Sequence, residues 1–381
     1  MPGSLRVALN LVYLTPGETG GMEVYARELL PRLAAIDGIE PVAIVNRVAA
    51  QDAGAPWSDG TVPSLVADVD ARDRRQWVWG EQRHVPRLAE QAGAVLVHSL
   101  ASTGPGRWAG GPPRVTTVHD LHYAVAPEAH FGLRGLGMRV LVPAAVRASR
   151  RVIAVSEATA KDLVRILKLE PARLDVVPEA AVVLQVSPTP EPDLRARLGL
   201  GDRQVLLSMA AKRPHKNVEG LIDALAALAP DRRPLLVVPG YATEHEAVLR
   251  RRAAARHVAE DVRFPGWLSS ADVEGLWRIA VAHVFPSFYE GFGLPVLEAM
   301  ARGVPGACSD RASLPEIAGD AALTFDPADG RAVRDAIARL LDEPALREDL
   351  ARRGRARAAT FSWERTAAQT ADAYHRALDR G

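Results

Sequence analysis

The sequence predicts an α/β protein of two doubly wound domains, and three observations support this prediction. Short β-rich runs alternate with helical patterns, which is typical of parallel sheets covered by helices on both faces. The alternation occurs in two series, separated by Ser187–Pro192, where three of six residues are proline and neither a helix nor a strand ladder can continue. The chain has 381 residues, more than one hydrophobic core usually serves. We therefore expect two Rossmann-like domains and a hinge near residues 178–195.

The first half contains five β-rich runs, and the clearest helix follows the first of them. A helix is predicted from Met22 to Leu33, because its apolar residues recur at helical spacing. The stretch Ala49–Asp73 is polar and rich in Gly, Pro and Asp, so we expect a mobile loop there. The β-rich runs are Arg6–Val12, Val42–Val45, Ala94–His98, Arg114–His119 and Arg151–Val155.

The second half repeats the pattern with four β-rich runs and another amphipathic helix. The helix is predicted over Val218–Leu228, with Asn217 placed to cap its first turn. The β-rich runs are Val205–Met209, Leu235–Val238, Val281–Phe285 and Val304–Ala307. We see no internal repeat.

Composition excludes several classes of protein. A formal net charge of +1 gives no electrostatic reason to expect a nucleic-acid partner. The run Arg352–Arg357 is interpreted as a solvated helix face. The single cysteine, Cys308, allows no internal disulfide and is expected to be a buried thiol. No apolar stretch reaches the ~18 residues of a membrane span, and no signal peptide opens the chain. We therefore expect a cytoplasmic protein without a transmembrane segment.

The strongest motif is the segment from Phe285 to Glu298, which follows a β-rich run and opens a helix. Pro295 suits the first helical turn, and Gly303 suits the helix end. The backbone amides from Gly291 to Leu294 are therefore expected at a positive helix terminus, a site for phosphate oxygens. Glycines at two of these positions let the backbone approach a bulky anion closely. A dinucleotide fingerprint is not completed, because no third glycine follows at the required spacing.

Two carboxylates, Glu290 and Glu298, flank this phosphate-binding turn. A carboxylate repels phosphate, so these side chains are better explained as acceptors for the neutral hydroxyls of sugars and ribose. The apolar neighbours of Glu298 predict substantial burial. The alternative is that both acids are simply exposed.

A second loop, Ser208–Asn217, joins a β-rich run to a helix and contains two of the four lysines of the chain, Lys212 and Lys216. A compact ammonium there would neutralise a diphosphate. Chance also produces such a pairing, so this signal is weak alone.

Two further signals lie in the first half. Gly20 and Gly21, between the first strand and helix, allow close approach of a ligand or serve a plain turn. His119 and Asp120 end a β-rich run, where doubly wound domains bind their ligands. His119 is a hydrogen-bond donor for a sugar or phosphate, or it is a structural histidine.

One motif points elsewhere. Asp68-Val-Asp70 matches a metal-binding dyad known from an unrelated architecture. It lies in the irregular first-domain stretch, and no His, Cys and carboxylate cluster has metal-ligand spacing. We therefore predict no metal site.

Taken together, these motifs resemble glycosyltransferase family 4, retaining enzymes with the GT-B fold of two Rossmann-like domains facing across a cleft. The resemblance extends over essentially the whole chain. Its most specific feature is the E-x7-E element, read here as Glu290 and Glu298 around Gly-Phe-Gly-Leu-Pro. Supporting elements are Gly20-Gly21, Val118-His119-Asp120, Val155-Ser156-Glu157, the Pro214–Asn217 loop and Ser313-Leu-Pro-Glu316.

The resemblance implies two domains and a C-terminal helix. Residues 1–183 form the acceptor-side domain, residues 184–360 form the nucleotide-sugar donor-side domain, and residues 361–381 form a helix that crosses back to the first domain. It implies that His119, Glu290 and Lys216 are catalytic. The implied donor-binding residues are Gly20, Gly21, Asp120, Lys212, Arg213, Lys216, Gly291, Phe292, Gly293, Leu294 and Glu298.

Individual roles also follow from the resemblance. Glu290 holds hydroxyls of the donor sugar, Glu298 holds the ribose, and the amides around Gly293 hold the distal phosphate. Lys216 binds the diphosphate, and His119 lies against the transferred sugar. The family often has a glycine and an arginine upstream of the loop lysine, where this chain has Ala210 and Ala211. Lys212 or Arg213 is expected to supply that charge.

The expected reaction is metal-independent, retaining transfer of a hexose-type sugar from a nucleotide-diphosphate sugar to an acceptor hydroxyl. No cofactor is expected beyond this co-substrate. The acceptor is a glycan, a lipid-linked molecule or a small molecule, selected by Ala49–Asp73 and His122–Arg139. Two alternatives remain open: a non-catalytic nucleotide-sugar binding protein, and another GT-B enzyme such as a nucleotide-sugar epimerase.

Overall fold

The chain forms two compact units. The computed structural model describes residues 4–106, 111–125 and 133–379, with the backbone alone for residues 133–136. The first unit comprises residues 1–179 and 362–381, and the second comprises residues 180–361. The sequence placed these boundaries at 183/184 and 360/361. Part of the expected acceptor segment His122–Arg139, residues 126–132, lies outside the described residues.

The first unit is built on a parallel sheet of seven strands in the order β3-β2-β1-β4-β5-β6-β7. All of its paired strands run parallel, as alternating strands and helices require. The described strands are β1 (Leu5–Leu11), β2 (Ile39–Asn46), β3 (Ser64–Ala67), β4 (Leu96–Ser99), β5 (Arg114–Val118), β6 (Arg151–Ala154) and β7 (Leu174–Val176).

Helices of the first unit follow the strands in sequence, and the last helix of the chain returns to them. A π-helix over Gly80–His84 joins the second and third. The helices are α1 (Gly21–Ala34), α2 (Arg74–Trp79), α3 (Val85–Gln91), α4 (His122–Val125), α5 (Leu133–Ala148), α6 (Glu157–Leu167) and, near the C-terminus, α15 (Trp363–Leu378).

The expectation of a mobile loop over Ala49–Asp73 is wrong for part of this stretch, which belongs to the sheet. β3 pairs in parallel with β2, and Trp57 is buried, with its Nε1–H donated to the Ala49 carbonyl at 2.9 Å. The polar composition of this stretch gave no indication of the short edge strand β3 or of the buried Trp57 ring.

The second unit contains a parallel sheet of six strands in the order β10-β9-β8-β11-β12-β13. Its strands are β8 (Val205–Leu207), β9 (Leu235–Val237), β10 (Val262–Arg263), β11 (Ala280–Phe285), β12 (Gly306–Ser309) and β13 (Leu323–Phe325). Its helices are α7 (Glu191–Leu198), α8 (Val218–Ala226), α9 (Glu246–Ala255), α10 (Ser270–Ile279), α11 (Leu294–Arg302), α12 (Leu314–Ala318), α13 (Gly330–Asp342) and α14 (Pro344–Ala358).

Local signals in the sequence work as expected in this unit. The Asn217 side chain accepts the Gly220 amide and caps α8, while Pro295 lies in the first turn of α11. Gly303 ends α11 in a left-handed conformation that glycine adopts without strain. Cys308 is buried. The sequence analysis did not predict the strands β3, β7, β10 and β13, each of two to four residues.

Candidate active site

The site in the second unit begins at the point where its strand order reverses. β8 pairs with β9 on one side and β11 on the other, so the loops that follow β8 and β11 diverge from neighbouring carboxyl ends. In open parallel sheets this is the usual place for a ligand.

Two hydrogen bonds to the His215 carbonyl join these two loops. The Phe288 amide donates to the His215 carbonyl at 2.8 Å, and the Ser287 hydroxyl donates to the same carbonyl at 3.2 Å. As a consequence, Lys216 meets Glu290: its Nζ lies 2.6 Å from one carboxylate oxygen and 2.8 Å from the other. Two residues that were predicted as site residues from separate sequence motifs are therefore in direct contact.

The chemistry of this pair is complementary. The ammonium of Lys216 has three N–H groups, and Glu290 accepts from it with both oxygens. Lys216 also lies 5.4 Å from the centre of the Phe285 ring, which favours the cation. Both side chains are mostly buried, at 17% and 12% exposure, so their charges are weakly screened by water.

Ser313 shapes the glycine-rich turn that precedes α11. Its hydroxyl lies 2.6 Å from the Phe292 carbonyl and 3.0 Å from the Glu290 carbonyl. Because a trans peptide directs its C=O and N–H to opposite sides, the amide of Gly293 points away from Ser313. Gly293 has φ 115°, and a Cβ at that position would lie 2.7 Å from the Leu314 side chain. The left-handed φ favours glycine at this position, and a larger residue would also displace the Leu314 methyl group.

Glu298 lies in the second turn of α11 and is only partly exposed. Burial, with the Glu274 carboxylate nearby, raises the pKa of Glu298 to about 7, against the lowering effect of Arg302. Arg302 itself pairs with Glu274. Within the described chain, no donor hydrogen-bonds the Glu298 carboxylate.

The two other cations of the β8 loop occupy different environments. Lys212 is fully buried, donates to the Gly240 carbonyl at 2.6 Å and pairs with Glu246 at 3.3 Å. Burial lowers its pKa. The structure therefore does not bring Lys212 to the Lys216–Glu290 pair. Arg213 is exposed, and its guanidinium makes no hydrogen bond to the rest of the described chain. The assignment of a second donor-binding cation stays a prediction, with Arg213 the better placed.

In the first unit, Gly20 and Gly21 lie where expected, at the start of α1. Gly20 has φ 65° and is the N-cap, and both glycines are exposed. The preceding turn is held by two hydrogen bonds, from the Thr15 amide to the Thr19 hydroxyl at 2.8 Å and from the Gly17 amide to Glu23 at 2.7 Å.

His119 follows β5 and has an acceptor at each ring nitrogen. Nε2 lies 2.8 Å from the Leu100 carbonyl, and Nδ1 lies 2.8 Å from Oε1 of Glu179. A neutral imidazole has one N–H, so this arrangement is fully satisfied only when the His119–Glu179 pair carries a second proton. Burial lowers the pKa of His119, but the Glu179 hydrogen bond and charge outweigh it and raise the pKa above its ordinary value. Asp120 is exposed and accepts the His122 amide.

Sequence reasoning missed two acids of the first unit. Glu179 is nearly fully buried and follows Pro178 within the expected hinge, where no pattern marks it as a partner of His119. Glu81 is fully buried in the π-helix, accepts from Asn10 at 3.1 Å and from Thr103 at 2.9 Å, and has a pKa raised to about 7 by burial. A π-helical turn of this kind is often found at functional sites.

The Asp68–Asp70 dyad is engaged by arginines. Asp68 pairs with Arg47 at 3.1 Å, and Asp70 pairs with Arg72 at 2.6 Å. Among the residues that the structure describes, no group of three His, Cys, Asp or Glu side chains is arranged to hold a metal ion. None of the described helices is both long and apolar enough to span a bilayer.

Comparison with known proteins identifies the family. The model of glycosyltransferase family 4 matches residues 19–181, and that of the group 1 glycosyl transferases matches residues 191–357. The chain is 31% identical to D-inositol 3-phosphate glycosyltransferase of Nocardioides sp. over 98% of its own length and 90% of that protein. The chain belongs to glycosyltransferase family 4.

Two further similarities agree with the family. O-antigen chain mannosyltransferase B of Escherichia coli is 32% identical over 68% of this chain and 69% of its own length. Sucrose-phosphate synthase of Thermosynechococcus elongatus has the same GT-B fold, with a TM-score of 0.77 and 22% identity over 98% of both chains. The protein is thus a family 4 glycosyltransferase that uses a nucleotide-sugar donor, with the expected GT-B fold.

Proposed function

We propose that this glycosyltransferase moves a hexose-type sugar from a nucleoside-diphosphate sugar to an acceptor hydroxyl, with retention of anomeric configuration and without a metal ion or cofactor. The observation that carries the proposal is the Lys216–Glu290 contact after β8 and β11. A cation and an acceptor for neutral hydroxyls lie side by side, which suits a ligand that joins a diphosphate to a sugar.

The donor is assigned to the second unit. Lys216 and the amides at the start of α11 bind the diphosphate, because both present N–H donors to anionic oxygens. Glu290 takes sugar hydroxyls and Glu298 takes the ribose hydroxyls. Arg213 is the candidate for the additional phosphate contact.

The proposed reaction uses these contacts. The bond between the anomeric carbon and the diphosphate oxygen breaks, and the acceptor oxygen bonds to that carbon on the same face. The acceptor proton passes to the departing phosphate oxygen. Lys216 and the helix terminus stabilise the negative charge that develops on the leaving group, in the role that a metal has in other enzymes.

His119 is assigned to the transferred sugar. Its Nε2–H now donates to the Leu100 carbonyl, so it reaches a sugar hydroxyl only by sharing or leaving that acceptor. Gly20 and Gly21 are assigned to the diphosphate, and Asp120 is assigned to the donor.

The relatives narrow the first substrates to test. Because one relative is a mannosyltransferase and another a D-inositol 3-phosphate glycosyltransferase, mannose-bearing donors and glycan, lipid-linked or cyclitol acceptors come first. No nucleic acid is proposed as a partner.

The stereochemical test uses water as the acceptor. Uridine and guanosine diphosphate sugars are screened by thermal shift, since a bound ligand raises the melting temperature. The best donor is then incubated alone, and the sugar anomer released first is identified by proton NMR before it mutarotates. Retention gives the anomer of the donor. Release of the opposite anomer would contradict the proposal. Lys216→Ala is the control for contaminating hydrolases, because release by the protein itself should be strongly reduced in this variant.

Metal independence is tested with the same assay. We expect turnover to survive a saturating chelator, because Lys216 and the α11 amides supply the positive charge. Loss of turnover in chelator that manganese restores would overturn this part and return attention to Asp68 and Asp70.

A further inference from the structure

The first unit has a concave site at the edge of its sheet opposite to His119. Arg114 and Arg151 are the first residues of β5 and β6, and parallel strands bring their amino ends to one edge. A cavity of about 510 Å³ opens there. We call it the arginine pocket. Its charged lining residues are Arg114, Arg147, Arg150, Arg151, Arg173, Arg376 and Asp379.

The positive charge of this pocket is only partly neutralised. Arg151 and Arg376 both pair with the carboxylate of Asp175, and among the described lining residues Asp379 is the one acid. Counted over the described residues alone, six guanidinium groups against these two carboxylates leave an excess of four positive charges. The whole chain has a net charge of only +1, so this excess is local.

Part of the cluster is explained by the ends of helices. Arg173 donates to the Val146 carbonyl at 3.1 Å and to the Ser149 carbonyl, and Arg150 donates to the Asp379 carbonyl at 2.6 Å. Arginines at such carbonyls offset the negative end of a helix. The carbonyls are formally neutral, however, so the cluster keeps most of its charge.

Three arginines retain N–H groups for a ligand. Arg147 is exposed and makes no side-chain hydrogen bond within the described residues. Arg150 is exposed and uses one N–H on the Asp379 carbonyl. Arg114 donates to Gly106, while its Nε–H is buried without an acceptor in the described chain. Burial lowers the pKa of Arg114, so this charge is held at a free-energy cost that a bound anion relieves.

We propose that the arginine pocket binds a phosphate-bearing small molecule with two or more negative charges. The planar guanidinium fork matches the oxygens of a phosphate group, and a concave site of this volume suits a small molecule better than a flat membrane surface. The pocket belongs to the first unit, whereas the proposed donor-binding residues Lys216, Glu290 and Glu298 belong to the second, so this proposal does not depend on the proposed reaction.

Calorimetric titration with inorganic pyrophosphate tests the proposal. The Arg147→Gln/Arg150→Gln variant removes two charges from exposed side chains, so the fold is expected to survive. Arg251→Gln/Arg331→Gln removes the same charge from exposed residues of the second unit and is the matched control. All titrations are repeated in Lys216→Ala, which is expected to weaken any binding of pyrophosphate at the start of α11.

We expect the pocket variant to weaken pyrophosphate binding by roughly ten- to a hundred-fold, the scale of lost charge-assisted hydrogen bonds, in both Lys216 backgrounds. The control variant is expected to bind as the parent does. Equal affinity in the pocket variant and its control would overturn the proposal.

Sedimentation with vesicles separates a free phosphate compound from a lipid headgroup. Pyrophosphate binding that depends on Arg147 and Arg150, without sedimentation on vesicles of phosphatidylglycerol and phosphatidylcholine, supports the proposal. The proposal would be overturned if the protein sedimented with these vesicles through Arg147 and Arg150 but bound no pyrophosphate. The ligand of the pocket would then be an anionic membrane surface.

Discussion

Glu290 and Glu298 have the same side chain but different surroundings, and these decide their chemistry. Glu290 is bound by the Lys216 ammonium. Glu298 has no hydrogen-bond donor in the described chain and a pKa of about 7. At neutral pH, Glu298 is therefore divided between its protonated and ionised forms, and a ligand that donates two hydroxyls favours the ionised form.

Glu298→Gln is expected to weaken the free nucleoside diphosphate and the complete donor alike, because both contain the ribose. The loss is expected to be roughly 1–3 kcal/mol, as for other charge-assisted contacts. Glu290→Gln should leave the free nucleoside diphosphate almost unchanged and reduce turnover with the full donor. Calorimetric titration of both variants with both ligands measures these effects. Equal weakening of the free nucleoside diphosphate by both substitutions would refute the separate roles.

The pH dependence has a definite sign. The pKa of Glu298 is about 7 without ligand, so the ionised fraction falls as pH drops from 8 to 6. Nucleoside diphosphate affinity should then fall by up to about tenfold more in the wild type than in Glu298→Gln. The variant corrects for titration of the ligand itself, and parallel pH profiles would contradict the assignment.

The pKa of His119 also depends on a neighbour, since Glu179 keeps it above the ordinary value for histidine. Removing the negative charge by Glu179→Gln should lower this pKa, so that His119 loses its proton at a lower pH. Asp120, His98 and the Tyr25 ring also face His119 and are unchanged in the variant. NMR titration of the His119 ring measures the shift without any assay of turnover. An unshifted titration in Glu179→Gln would show that Glu179 does not set the charge.

At the scale of elements, the loops after β8 and β11 build the site because hydrogen bonds join them. The glycine-rich turn before α11 is further held by Ser313, which follows β12. Three neighbouring strands of one sheet thus contribute to one small region, although their loops are distant in sequence.

Gly293→Ala should disrupt this turn. The positive φ of 115° strains any L side chain, and the added Cβ meets Leu314 at 2.7 Å. Gly201→Ala is the matched control, with φ 53° and no atom within 4 Å of the new Cβ. We expect a larger drop in melting temperature for Gly293→Ala than for Gly201→Ala, and weaker nucleoside diphosphate binding in Gly293→Ala alone. Normal binding by a folded Gly293→Ala protein would argue against a role of the turn in phosphate recognition.

At the scale of the whole molecule, the chain ends in the unit where it began. α15 belongs to the first unit and packs on α1, and Tyr374 lies 2.7 Å from Nδ1 of the buried His98. Trp363 lies against the ring of Tyr25. The C-terminal helix therefore completes the core beneath β4 and α1.

Truncation after Phe361 should destabilise the first unit selectively, because it exposes Tyr25 and leaves buried His98 without one of its partners. Hydrogen exchange is expected to quicken around β1 and β4 and to stay unchanged in β8 and β11. Tyr374→Phe keeps the packing and loses one hydrogen bond, so its effect should be smaller, about 1–3 kcal/mol. Unchanged exchange around β4 in the truncated chain would contradict this role of α15.

The sequence by itself determined the family, the GT-B fold and the candidate residues Lys216, Glu290 and Glu298. Alternating strands and helices, a proline-rich boundary and the glycines before α11 are local signals, and they can be recognised without tertiary contacts. Only the tertiary structure decided which groups meet. The Lys216–Glu290 contact, the burial of Lys212 beside Glu246, and the Glu179 carboxylate at His119 all join residues distant in the chain. Their charges and pKa values depend on packing, burial and hydrogen-bond partners, none of which is encoded within a single segment.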